Sequence, residues 1–179
     1  MKLLIATFGL VVALAFAGCA TAPKSEEGKS DIRDKAAAAL AKAESNDPSL
    51  ATVLHDAKGY AVFPTVGKGA VGVGGAYGKG VLYEGGSFIG YCDLSQASIG
   101  LALGGQTYTE IISFQTIEAL NRFKGGNFAF DAQATAVAIK SGAGTNAKYA
   151  NGVAVFTMGE SGLMFEASVG GQKFSYQPK

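Results

Sequence analysis

The chain has 179 residues, 48% of them hydrophobic, with 15 Lys and Arg against 14 Asp and Glu. So even a charge balance gives no global field toward nucleic acid or an anionic surface, and the roughly 160 residues beyond an N-terminal leader suffice for one domain with a real core. The 26 glycines follow no collagen period and form no Ser-rich linker, so they read as turns and close strand crossings.

Residues 1–18 read as a lipoprotein signal peptide. Lys2 gives a positive start, Leu3 to Phe16 are apolar but too few to span a bilayer comfortably, and the small Ala17 and Gly18 precede Cys19. Cleavage after Gly18 leaves Cys19 as the lipidation site, whose thiol would carry a diacylglycerol; its two acyl chains, palmitate for example, make a stable anchor where one chain is marginal. Ala20, standing where an Asp would hold the protein at an inner membrane, points in a Gram-negative envelope to the outer membrane. With Cys19 acylated, Cys92 has no partner within the chain and is expected to be a small buried residue.

Residues 19–29 are small, polar and charged, and are expected to form a tether; the domain proper is expected over 30–179. Ser30 offers an N-cap to an alanine-rich helix over DIRDKAAAALAKAES, with Ile32, Ala36, Ala39, Leu40 and Ala43 at helical spacing. Asp47 and Pro48 open a second short helix with Leu50, Val53 and Leu54 inward and Gly59 as its stop. From Tyr60 onward short apolar runs separated by glycine predict many strands of a meander or barrel. One helix interrupts them at TIEALNRF, with Ile117, Leu120 and Phe123 on its packed side and Gly125 and Gly126 ending it. The class expected is α+β: N-terminal helices, then a Gly-rich antiparallel sheet or barrel-like body with one inserted short helix.

Motifs for chemistry are scarce. Gly67, Gly69 and Gly72 match a dinucleotide fingerprint in spacing, but that fingerprint opens a helix whose N-terminus holds pyrophosphate, and here the glycines alternate with Val71 and Val73 in extended chain. His55 is the single histidine, no GxSxG elbow occurs, and the carboxylates Asp93, Glu110, Asp131 and Glu166 are scattered. No catalytic residue, metal site or cofactor is expected, and the chain is read as a non-enzyme. The remaining signal is a set of cations near glycine turns, Lys68, Lys79, Arg122, Lys124 and Lys140, where backbone N–H groups and ammonium groups would hold a lipid phosphate. The aromatics Tyr77, Tyr83, Phe88, Phe123, Phe128 and Phe165 would line an acyl groove or fill the core.

GYAVFPTVGKGAVGVGGAYGKGVLYEGG, ASIGLALGGQTYTEIISF, TIEALNRFKGGNFAFDAQATAVA and GVAVFTMGESGLMFEASVGGQKF follow one another in the chain. In this order they resemble the SYLF-domain family of actin- and lipid-binding proteins, over roughly Ala36 to Tyr176. The resemblance implies a phospholipid-binding module without catalytic residues, linked in eukaryotic members to phosphoinositides and actin. Those members are thought to use a basic amphipathic N-terminal helix, whereas here Arg33, Lys35 and Lys42 are offset by Asp31, Asp34 and Glu44, and membrane attachment passes to Cys19. Actin is not expected as a partner in an envelope, and neither is nucleic acid. Membrane phospholipid is the expected partner, and no protein partner is identified. The expectation is a lipid-anchored bacterial envelope protein with a non-catalytic phospholipid-binding domain. The alternative is an interaction lipoprotein that docks a protein or envelope polymer, with lipid only as its anchor.

Overall fold

A computed structural model describes residues 22–126, 129–130 and 136–179. The leader, Cys19 and Asp131 lie outside the described residues, and so do the side chains of Phe128, Phe165 and Glu166. The fold is α+β. Helices α1 (Glu26–Asn46) and α2 (Pro48–Asp56) precede strands β1 (Gly59–Glu84) and β2 (Ser87–Phe114); helix α3 (Ile117–Lys124), strands β3 (Ala129–Phe130) and β4 (Ala136–Ala138), and strand β5 (Val153–Pro178) follow. Among the described residues no helix is long and apolar enough to cross a membrane.

Local chemistry sets the helix ends. The hydroxyl of Ser25 accepts from the Gly28 amide, so α1 starts at Glu26 and absorbs the last residues of the expected tether. Ala22 is already buried, and its amide donates to Gln177 Oε1 at 3.1 Å. The segment before α1 is therefore docked on the end of β5 as early as Ala22. Asp47 caps α2 as expected, with Pro48 in its first turn, but α2 ends at Asp56 and Gly59 begins a strand. In α3 the Thr116 hydroxyl accepts from Ala119, and Ala119, Leu120 and Phe123 are buried. Ile117, expected to pack, is 41% exposed.

The runs expected as many short strands join into three long ones of 26, 28 and 26 residues. The sheet runs β1-β2-β5-β3, antiparallel, with β4 pairing β5 in parallel. β1 doubles back on itself. Tyr60 and Tyr83 would be roughly 75 Å apart in a straight strand, yet their rings stack at 4.9 Å. Glycine permits the fold-back, because a Cβ on Gly80 would stand 2.5 Å from the Val62 carbonyl oxygen. Among the described residues the doubled sheet stays open, since no pairing returns from β3 to β1.

Two cores result. The inner one joins Phe63, Leu82, Leu94, Phe114, Val155 and Phe174 under α3, whose Phe123 ring lies 4.9 Å from Phe114 and 5.2 Å from Phe174. The outer one packs Ala36, Ala39, Ala43, Leu50 and Leu54 of α1 and α2 on Val62, Val81, Tyr91, Ile111 and Phe156. Cys92 is fully buried in the inner core, and burial pushes its thiol well up.

Candidate functional site

The five cations singled out from the sequence take separate structural positions. Lys68 follows Val66 by two residues on β1 and therefore shares its inward face; it is 8% exposed. Lys79 stands opposite Asp93 across the β1–β2 ladder and pairs with it at 3.1 Å, with its ammonium 5.8 Å from the Tyr77 ring centroid. Burial works against the Lys79 charge, but Tyr77 and Asp93 outweigh it and hold its pKa up. Lys124 pairs with Glu84 at 3.0 Å, tying α3 to the end of β1. Arg122 donates from Nη2 to the Asn151 carbonyl at 2.8 Å, and Lys140 is exposed. None of the five lines either of the two described cavities.

The carboxylates also find partners or burial. Asp93 serves Lys79, and Glu110 accepts from Gln172 Nε2 at 2.8 Å inside the sheet. His55 is exposed, its ring 3.1 Å from Asp56 on the same helix end. Of the aromatics, Phe123 fills the inner core, Tyr83 and Phe88 join a ladder with Tyr91, and Tyr77 is 45% exposed.

A different pair of lysines borders a cavity. Lys35, Ala38, Ala39 and Lys42 recur at i, i+3, i+4 and i+7 on α1, the spacing that places residues on one helix face. They meet Pro64, Thr65 and Thr109 of the sheet and Met158 of β5 around a cavity of about 260 Å³. The floor is small and apolar because alanines let α1 approach the sheet closely. Lys35 carries an exposed pair with Asp31 at 2.8 Å, which contributes little and is easily exchanged. Lys42 is exposed at the other end. The arrangement suits an anionic group held between two ammonium ends, with its carbon part on alanine, proline and methionine. The sequence carried this signal in the helical spacing of Lys35 and Lys42. Counting the neighbouring acids against them hid it, because Asp34 and Glu44 do not line this cavity and Asp31 reaches it only through its exposed pair with Lys35.

A second cavity, of about 380 Å³, lies at the C-terminal end of α1 and is lined by Glu44, Ala51, Leu54, His55, Tyr60, Gly85 and Gly86. Among the described residues no lysine or arginine lines it.

The chain matches no protein-family model. Among curated proteins it is similar to beta cell expansion factor A of Aeromonas veronii, at 28% identity over 162 residues that cover 85% of this chain and 59% of that protein. The chain thus spans about three-fifths of the length of this relative.

Proposed function

We propose that this protein is a lipid-anchored envelope protein whose SYLF-like domain binds anionic phospholipid at the bilayer surface and performs no chemistry. The observation that carries the reading is the cavity between Lys35 and Lys42. Its volume of about 260 Å³ falls just below the range of about 300–1,000 Å³ typical of small-molecule pockets. A phosphate headgroup with the start of a chain suits that space better than a whole lipid. The leader supports the anchor: Cys19 stands three residues before Ala22, where the chain is already docked on Gln177. Three residues reach about 10 Å at most, so an acyl anchor on Cys19 would keep the domain against the membrane. The residue after the cysteine supports the outer membrane as the place.

Vesicle binding by the full chain, with Cys19→Ser to remove acylation, tests this. Binding to phosphatidylglycerol vesicles should exceed binding to phosphatidylcholine vesicles and fall as salt rises. A lysine near an anionic surface contributes about 1 kcal/mol, so the double change Lys35→Ala and Lys42→Ala should weaken binding roughly 25-fold. The same binding in the double variant, or no preference for anionic vesicles, would overturn the headgroup site. It would favour the reading in which lipid is only the tether and the domain docks a protein or polymer.

A further inference from the structure

The cavity beside Glu44 is independent of the lysine site and has the opposite character. Glu44 stands in the last turn of α1, half-buried, and among the described residues no lysine or arginine forms an ion pair with it. Tyr60 opens β1 opposite it. Glu44 and Tyr60 both line the cavity, so the carboxylate and the phenol face a common space; burial pushes the Tyr60 phenol up, and the charges of Tyr83 and then Glu44 add to this. Stacking on Tyr83 at 4.9 Å and 22° fixes the Tyr60 ring. Leu54 gives the cavity an apolar floor, and Ala51 stands exposed at its edge.

The remaining wall is the turn between β1 and β2. Gly85 and Gly86 have φ of +54° and +77°, where a side chain would be strained, and a Cβ on either would meet nothing within 4 Å. Glycine therefore leaves the mouth open. His55 also lines the cavity, with Asp56 beside its ring. Among the described residues the ionisable side chains that line the cavity are thus the Glu44 carboxylate, the Tyr60 phenol and the His55 imidazole, with Lys58 joined to the turn only through its backbone carbonyl, which accepts from Gly85. Such a space repels phosphate and attracts a cation that can donate hydrogen bonds.

We propose that this cavity is a binding site for a small primary ammonium group, its charge on Glu44, its N–H donors shared with the Tyr60 phenol oxygen, and its short carbon chain over Leu54. A carboxylate with an adjacent phenol oxygen suits the three directed donors of a primary ammonium. A quaternary ammonium has no N–H to give and fills more of the space. The same chemistry is offered by a free alkylamine and by an ethanolamine headgroup.

The test uses the full chain with Cys19→Ser in mild detergent, titrated with ethanolamine and followed by NMR. Ethanolamine should bind saturably, roughly tenfold or more tightly than neutral ethylene glycol at matched ionic strength, and more tightly than tetramethylammonium. Glu44→Gln should weaken it by about tenfold. Ala51→Phe, at an exposed helical position, should fill the cavity and abolish binding without unfolding the domain. The Lys35→Ala and Lys42→Ala double variant should bind ethanolamine as the parent does, which separates this site from the anionic one. A further comparison sets vesicles containing phosphatidylethanolamine against phosphatidylcholine vesicles. Stronger binding that Glu44→Gln removes assigns the site to a lipid headgroup, while no difference, with free ethanolamine still bound, assigns it to a soluble amine. Ethanolamine binding no tighter than ethylene glycol, or unchanged in Glu44→Gln, would overturn the proposal.

Discussion

Glu110 sits two residues before Ile112 on the inward face of β2, 1% exposed, where an apolar residue would continue the core. Burial raises its carboxyl to about 7, with the Gln172 amide and the Lys68 charge pulling the other way. Gln172 stands opposite Gln96 in the β2–β5 register, so the three side chains form a polar row at the edge of the inner core. Among the described residues Glu110 Oε1, Gln172 Oε1 and Gln96 Nε2 have no hydrogen-bond partner, a cost that the ionised carboxylate increases. Between the ordinary value of 4.5 and about 7 the unfolded chain releases a proton that the folded chain keeps. Stability from this group is therefore full below the lower value, declines as pH rises through that window, and is flat above it. Glu110→Gln should remove the slope, and above about pH 8 it should be more stable than the parent by about 1–3 kcal/mol. Urea unfolding of both proteins at about pH 5 and pH 8 measures this. A parent whose stability rises across that window would refute it. The sequence shows Glu110 only as one of several scattered carboxylates, because what buries it is the fold-back of β1 and the register of β5, and neither is local.

At the scale of elements, the caps Asp47 and Gly125 were legible, while the start of α1, the stop of α2 and the strand ends were not. Asp47 was readable as a cap from its place before Pro48. Its reach to a distant loop was not: Oδ1 also accepts from Gly142 and Oδ2 from Gly144, besides the Ser49 amide and hydroxyl. Burial opposes the carboxylate, but these four donors prevail and hold its pKa below the ordinary value. Asp47→Ala should cost about 2–4 kcal/mol and expose the Gly142 and Gly144 amides to exchange, while Asp47→Asn should cost less. Equal protection of both amides in Asp47→Ala would show that the loop is held otherwise. The strands misled because glycine was taken as a break. Where β1 meets itself glycine is instead what lets two halves of one strand touch, and Gly80→Ala sets a methyl 2.5 Å from the Val62 carbonyl oxygen and 2.7 Å from the Phe63 ring. A backbone carbonyl cannot swing away as a side chain can. This substitution should cost about 2–4 kcal/mol by thermal or urea unfolding, more than Gly85→Ala, where a positive φ strains a side chain but a Cβ meets nothing within 4 Å.

On the proposed lipid-anchored reading, the question for the whole molecule is which side would meet the bilayer, and the docking of Ala22 constrains it. An anchor on Cys19 would lie within about 10 Å of Ala22, near the start of α1. Along a helix Lys35 and Lys42 lie about 14 Å and 24 Å beyond Glu26. If α1 stood on end, Lys42 would be several screening lengths from the lipid charges, since that length is about 8 Å at physiological salt. Both lysines can act on headgroups only if α1 lies nearly parallel to the surface. The acylated chain on vesicles carrying a paramagnetic headgroup should then show similar signal loss at Lys35 and Lys42, and less at Phe123 of α3, fully buried in the inner core. A steep fall from Lys35 to Lys42 would mean an upright α1, and the lysine cavity would then have to serve a soluble anion rather than the membrane.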